Sequence, residues 1–153
     1  MGKYETKLAE MGVTLPDAPA PAANYVPFVQ VGNVLYVSGQ IPRSGDALIV
    51  GKLGENMETP AGAEAAKACA IALLAQVKAA CDGDLDQLVR VVKLTGFVNS
   101  TPDFAEQPQV INGASDFFGE VLGDAGKHAR AAVSAAAMPL GEAVEIEGVY
   151  QIK

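Results

Sequence analysis

Arg130 opens the stretch ARAAVSAAAMPLGEAVEIEGVYQ, and Glu145 and Glu147 stand near its end. An isolated charge buried in an apolar strand costs several kcal/mol unless something pairs it, so these residues are either at an exposed edge or held for a ligand. Arginine is a planar donor fork suited to gripping a carboxylate with two parallel hydrogen bonds, which lysine cannot reproduce. Two residues apart, Glu145 and Glu147 share one face of a strand. They are either its wet side or a carboxylate able to orient or deprotonate a water. Ser38 and Gly39 end another apolar run, where serine more often caps or turns the chain than reacts, and no histidine stands beside Ser38 to activate it. Tyr25 brings a hydroxyl that needs a partner if buried, and Asn112 an amide that can cap, turn or touch a ligand. His128, the only histidine, lies beside Gly126 and Lys127 and reads as a loop residue on the surface. A histidine-based triad or a histidine-rich metal site is not expected within one chain.

The elements that must position these residues follow from periodicity. Tyr4, Leu8 and Met11 in KYETKLAEM have helical spacing, and Gly12 marks the stop. LPDAPAPAA should run extended over a surface. NYVPFVQVGNVLYVSGQIP alternates and reads as a hairpin turning at Gly32 and Asn33, with a third strand around Ala47 to Val50. Thr59 as an oxygen cap, followed by Pro60, begins a long alanine-rich helix to about Ala80. LVRVVKLTGFVN reads as a strand covered largely on both faces, and a second helix should open at Thr101 or Asp103 and reach Phe118 and Leu122, with Pro108 early in it or breaking it. Gly123 and Gly126 end that helix, and two strands close the chain. The order βββαβαββ, with an extra helix in front, predicts an α+β two-layer domain. Its second sheet face is too apolar for water, so self-association is expected.

The totals bound the partners. At 153 residues the chain has the length of one ordinary domain, taken as 1–153 with 1–18 as an amino-terminal helical extension. A net charge of −7 opposes any sequence-independent grip on nucleic acid. Cys69 and Cys81, twelve helical residues and so about 18 Å apart, are too distant for a disulfide. There is no phosphate loop, dinucleotide fingerprint, HExxH or CxxC, so no metal or cofactor is expected. Charges occupy the place of a signal peptide's apolar stretch, and no window approaches the ~20 apolar residues of a membrane span; the expected location is cytoplasmic.

Taken together, PAANYV, VGNVLYVSGQIP, FVNSTPDF with VINGASDFF, and ARAAVSAAAMPLGEAVEIEGV resemble the reactive-intermediate deaminase family, also called YjgF or endoribonuclease L-PSP, over about Pro19 to Val149. The resemblance implies a chorismate-mutase-like fold assembled as a homotrimer, sheets inward, with three clefts between subunits. It implies that Arg130 binds the carboxylate of a small 2-imino or 2-aminoacrylate acid and that Glu145 positions the attacking water. Tyr25 would line the cleft, Ser38 and Gly39 would form its floor, and Asn112 would help hold the substrate. The implied reaction is cofactor-free hydrolysis of an enamine, through its imine, to a 2-oxo acid and ammonia. Three departures stand out: Ala132 replaces a cysteine that many deaminating members carry, residues around EQPQ are extra, and Phe28 competes with Tyr25 if the match is gapped. The alternative of a different class is a non-catalytic trimer that binds 2-oxo acids or similar carboxylates. Ribonuclease, from the older family label, is disfavoured by the acidic balance and the single histidine.

Overall fold

The computed structural model describes residues 1–21 and 23–153. The hairpin forms where alternation predicts it: β1 (Phe28–Val31) pairs antiparallel with β2 (Val34–Gln40) across the turn at Gly32 and Asn33. The carboxy-terminal strand β7 (Val144–Ile152) lies on the far side of β2, followed by β5 (Leu88–Asn99) and then β6 (Ala129–Ala135) at the edge. Only β5 and β6 run parallel among these neighbours. Parallel neighbours need a crossover, and the helix between these two supplies it.

The third strand departs from expectation. It forms as β4 (Ala47–Leu48), pairs with β3 (Arg43–Ser44), and stays outside the main sheet as a two-residue ribbon. With Pro42 before it and Gly45 in its turn, this segment is too short to compete for a sheet edge.

Helix α1 (Lys3–Glu10) tucks Tyr4 and Leu8 into the core, while the Asp86 carboxylate accepts the Lys3 N–H at 3.0 Å. Helix α2 (Thr59–Ala80) has the predicted span, but Glu58 occupies the cap position and the Thr59 hydroxyl instead donates to Glu106 at 3.2 Å. Helix α3 (Gln107–Leu122) begins later than Thr101 or Asp103, with Pro108 in its first turn. Proline there costs little, because the early N–H groups of a helix have no internal partner. The alanine-rich surface of α2 lets α3 come close. A Cβ on Gly113 would collide with the Ala63 carbonyl, so only glycine permits this helix crossing.

Both long helices cover one face of the sheet, where Leu35, Leu94, Val98, Ile146 and Tyr150 are fully buried. The opposite face carries Val29, Tyr36, Thr95, Phe97, Val133, Glu145 and Glu147, and is open: Tyr36 is 51% exposed and Val133 46%. Strand β5 is therefore covered on one face only, contrary to the two-sided reading of its apolar run. No helix among the described residues is long and apolar enough to cross a membrane.

Candidate functional site

Register decides which candidate residues meet. Arg130 stands beside Leu94 across the β5–β6 pair, so it projects to the helix-covered face, at the sheet edge. Its Nη1 donates to Ser115 Oγ at 3.0 Å and its Nη2 to the Pro108 carbonyl at 3.2 Å, both on α3. The stretch 106–109 thus supplies one of the groups that hold this arginine. Asn112, Ser115, Lys127, His128 and Arg130 line an open depression of ≈ 350 Å³. Lys127 is neutralised by Asp124 at 2.8 Å. Arg130 has no carboxylate within 4.0 Å among the described residues. A half-buried guanidinium bonded only to neutral oxygens leaves a charge uncompensated beside a cavity, and an anion is the group it can take.

Glu145 lies elsewhere. It pairs with Phe97 and faces the open side of the sheet. Its carboxylate rests on Gly39, where a Cβ would come within 2.9 Å of Glu145 Oε2; the glycine makes room for the acid. Ser38 adjoins it, donating its hydroxyl to the Val26 carbonyl at 2.8 Å while its N–H donates to Pro27 at 2.9 Å. These two bonds tie the segment bearing Tyr25 to the end of β2. Tyr25 is 49% exposed, whereas Phe28 packs against the core, so Tyr25 is the ring of the two free to line a cleft.

The residues expected in one site therefore form two groups within a chain: Arg130 with Asn112 at the β6 edge, and Glu145 with Gly39, Ser38 and Tyr25 on the other side of the sheet. Ala132 shares the face of Arg130, opposite Gly96, and packs partly against the core. Glu147 is exposed and borders a second hollow with Tyr36, Ser38, Lys93 and Thr95.

Three residues escaped sequence reasoning. Ser115 lies one helical turn from Asn112, a spacing that could have nominated it. His128 is half-buried and not a free surface group: its Nε2 lies 2.9 Å from Ser115 Oγ and its Nδ1 2.6 Å from the Gly126 carbonyl. Its parity with Arg130 was the available signal. Glu142 had none. It is 1% exposed, and its Oε1 has no hydrogen-bond partner. Burial, then a hydrogen bond with Glu145 and the repulsion of that carboxylate, push its carboxyl up to about 8. The protonated form of Glu142 is thereby favoured near neutral pH, beside an ionised Glu145. The thiols of Cys69 and Cys81 are buried and unpaired, and burial pushes both up, so neither is a ready nucleophile.

Comparison with known proteins shows the family. Residues 5–150 match the family model described as "YjgF/chorismate mutase-like, putative endoribonuclease". The chain is 45% identical to Protein TCP17 of Trypanosoma cruzi, over 99% of this chain and 95% of that protein. A crystal structure of a protein of unknown function from Agrobacterium tumefaciens is 48% identical, with a TM-score of 0.92, over 98% of this chain and 92% of that one. A 2-iminobutanoate/2-iminopropanoate deaminase of Dermatophagoides farinae is 29% identical, over 92% of this chain and 95% of the relative.

Proposed function

Because this chain belongs to the YjgF/chorismate mutase-like family, we propose that it hydrolyses small 2-imino acids and their enamine tautomers to 2-oxo acids and ammonia, at a cleft that two copies build together. The observation that carries this reading is Arg130, a half-buried cation without an acid partner, set in an open depression. The relative named as a 2-iminobutanoate/2-iminopropanoate deaminase lends it the substrate class.

Assembly about a three-fold axis would bury the open sheet face and set the β6 edge of one copy against the Glu145 side of the next. In that cleft Arg130 and Asn112 hold the substrate carboxylate, which fixes the imine carbon beside Glu145. Glu145 takes a proton from water as its oxygen bonds to that carbon. Glu145 returns that proton to the nitrogen, giving a carbinolamine. As the carbon–nitrogen bond breaks, Glu145 takes the hydroxyl proton of the adduct and passes it to the departing nitrogen, so that a 2-oxo acid and ammonia remain. The imine is already electrophilic, so positioning and one carboxylate that shuttles protons suffice, each a large known contribution to rate. Glu142, protonated, donates a hydrogen bond to Glu145, which relieves the repulsion between the two acids and leaves Glu145 ionised to act as the base.

The test is ammonia and pyruvate release from freshly generated 2-aminoacrylate. The wild type should exceed the uncatalysed rate, and Arg130→Ala should fall to it, a loss on the order of 10³-fold or more for a charge-assisted grip. Equal rates for the two proteins would remove the reading. A second reading, a trimer that binds 2-oxo acids without turnover, draws on Ala132 in place of the family cysteine. It predicts no activity in the parent and binding that survives Glu145→Gln. Ribonuclease activity is not part of either reading, and added RNA should stay intact.

A further inference from the structure

Arg130 is the first member of a chain of hydrogen bonds that runs away from the cleft. Its Nη1 donates to Ser115 Oγ at 3.0 Å, Ser115 Oγ lies 2.9 Å from His128 Nε2, and His128 Nδ1 lies 2.6 Å from the Gly126 carbonyl. We propose that Ser115 and His128 are positioning residues that hold the Arg130 fork in the orientation that grips a carboxylate, and that His128 senses whether the fork is occupied. The proposal rests on the deaminase reading only for the identity of the ligand.

The direction of the chain follows from what each group can do. A carbonyl only accepts, so the hydrogen of the neutral ring is on Nδ1, facing Gly126. Nε2 is then an acceptor, and the group that donates to it is the Ser115 hydroxyl. With its one hydrogen committed, Ser115 can meet Arg130 only as an acceptor. Each group has one role, and the sequence of donors runs from Arg130 to Gly126 without a reversal. Phe118 backs the imidazole edge-on, with ring centroids 6.4 Å apart, so the ring has little freedom to turn away.

This chain fixes one arm of the guanidinium, and the Pro108 carbonyl fixes the other at 3.2 Å. Two of the five N–H donors are spent on scaffold, which leaves three for a ligand. Preorganisation of this kind raises affinity, because the ligand no longer has to order the side chain. The chain also argues against Ser115 as a nucleophile. Its oxygen accepts from a cation, which withdraws the electron density an attacking oxygen needs. An arriving carboxylate draws on the same guanidinium, weakens the bond to Ser115, and so changes what His128 Nε2 receives.

One histidine in the sequence makes this measurable without assignment ambiguity. Long-range proton–nitrogen NMR should show the neutral Nδ1–H tautomer, and saturating 2-oxobutanoate should shift the Nε2 signal in the wild type but not in Ser115→Ala. Ser115→Ala and His128→Ala should each weaken 2-oxobutanoate binding by about 10-fold, the worth of one hydrogen bond to a charged group. His128→Gln, whose amide oxygen can take the Ser115 hydrogen, should return to within about three-fold of wild type. An Nε2–H tautomer, or wild-type affinity in Ser115→Ala, would overturn the proposal. If the wild type binds through Arg130 and the two alanine variants match it, only this inference falls. If wild type and Arg130→Ala are alike in failing to bind, the reading of the site falls and this inference with it.

Discussion

The β6 edge and the Glu145 side of the sheet are built from opposite materials. At the edge, a guanidinium is pinned by neutral oxygens of α3 and lacks an acid. On the other side, the Glu145 carboxylate rests on Gly39 and interacts with the buried Glu142 carboxyl, whose pKa is pushed up to about 8. Each region taken alone is electrostatically unfinished, a cation without an anion and an acid pair without a cation. Buried charges are retained at such a cost when something complements them. The proposed assembly answers that difference, since it would set the two unfinished halves against each other across copies.

The sharpest way to break this comparison is to disable one half in each of two proteins and mix them. Arg130→Ala and Glu145→Gln should each be nearly inactive alone, the second by about 10²- to 10³-fold in kcat for the loss of a base. Refolded together at equal amounts, they should recover about a quarter of wild-type activity, because one cleft in four pairs an intact Arg130 with an intact Glu145. No recovery, with mixed assembly shown by mass, would return both halves to a single chain and refute the shared cleft.

A smaller effect tests the acid pair. A carboxyl raised from its ordinary 4.5 to about 8 keeps its proton in the folded protein while the unfolded chain loses it. The folded state then binds more protons than the unfolded one between those values, so stability falls as pH rises through that window and is level above it. Glu142→Gln should abolish this slope and raise stability at pH 8.5 by roughly 1–3 kcal/mol, read from denaturant midpoints. The wild type is expected to lose activity above pH 8, when ionised Glu142 repels Glu145, and the same substitution should remove that loss. An unchanged slope would show that Glu142 is not the proton's home.

How far these regions were legible in the sequence differs in an instructive way. Strand and helix periodicity placed the hairpin, α2, β5 and the last two strands, because burial on one face imposes a period of two or 3.6. The start of α3 was missed because Thr101 and Asp103 look like caps, while the fold keeps 101–106 as a connection and lets Pro108 sit in the first turn. Arg130 and Glu145 were visible as charges out of place. Their separation onto opposite faces was not, since parity within a strand does not give the register between strands. His128 was read as surface for the same reason: its partners Ser115 and Gly126 are set by the packing of α3 on β6, which no local pattern records.

The smallest expected effect concerns Ser38, which belongs to the Glu145 side without doing chemistry there. Its hydroxyl donates to the exposed Val26 carbonyl at 2.8 Å and so anchors the segment that presents Tyr25. Water can replace this bond on both partners, which puts the loss in Ser38→Ala near the lower end of the range, about 0.5–1 kcal/mol. The thermal midpoint should drop by about 2–4 °C, as that energy implies for a chain of this size. Turnover of 2-aminoacrylate should fall only about two- to five-fold, because Tyr25 loosens while Arg130 and Glu145 stay in place. Ser38→Thr keeps the hydroxyl and should recover most of it. A loss approaching that of Arg130→Ala would instead make Ser38 a reacting group, and the Glu145 side would then hold a nucleophile as well as a base.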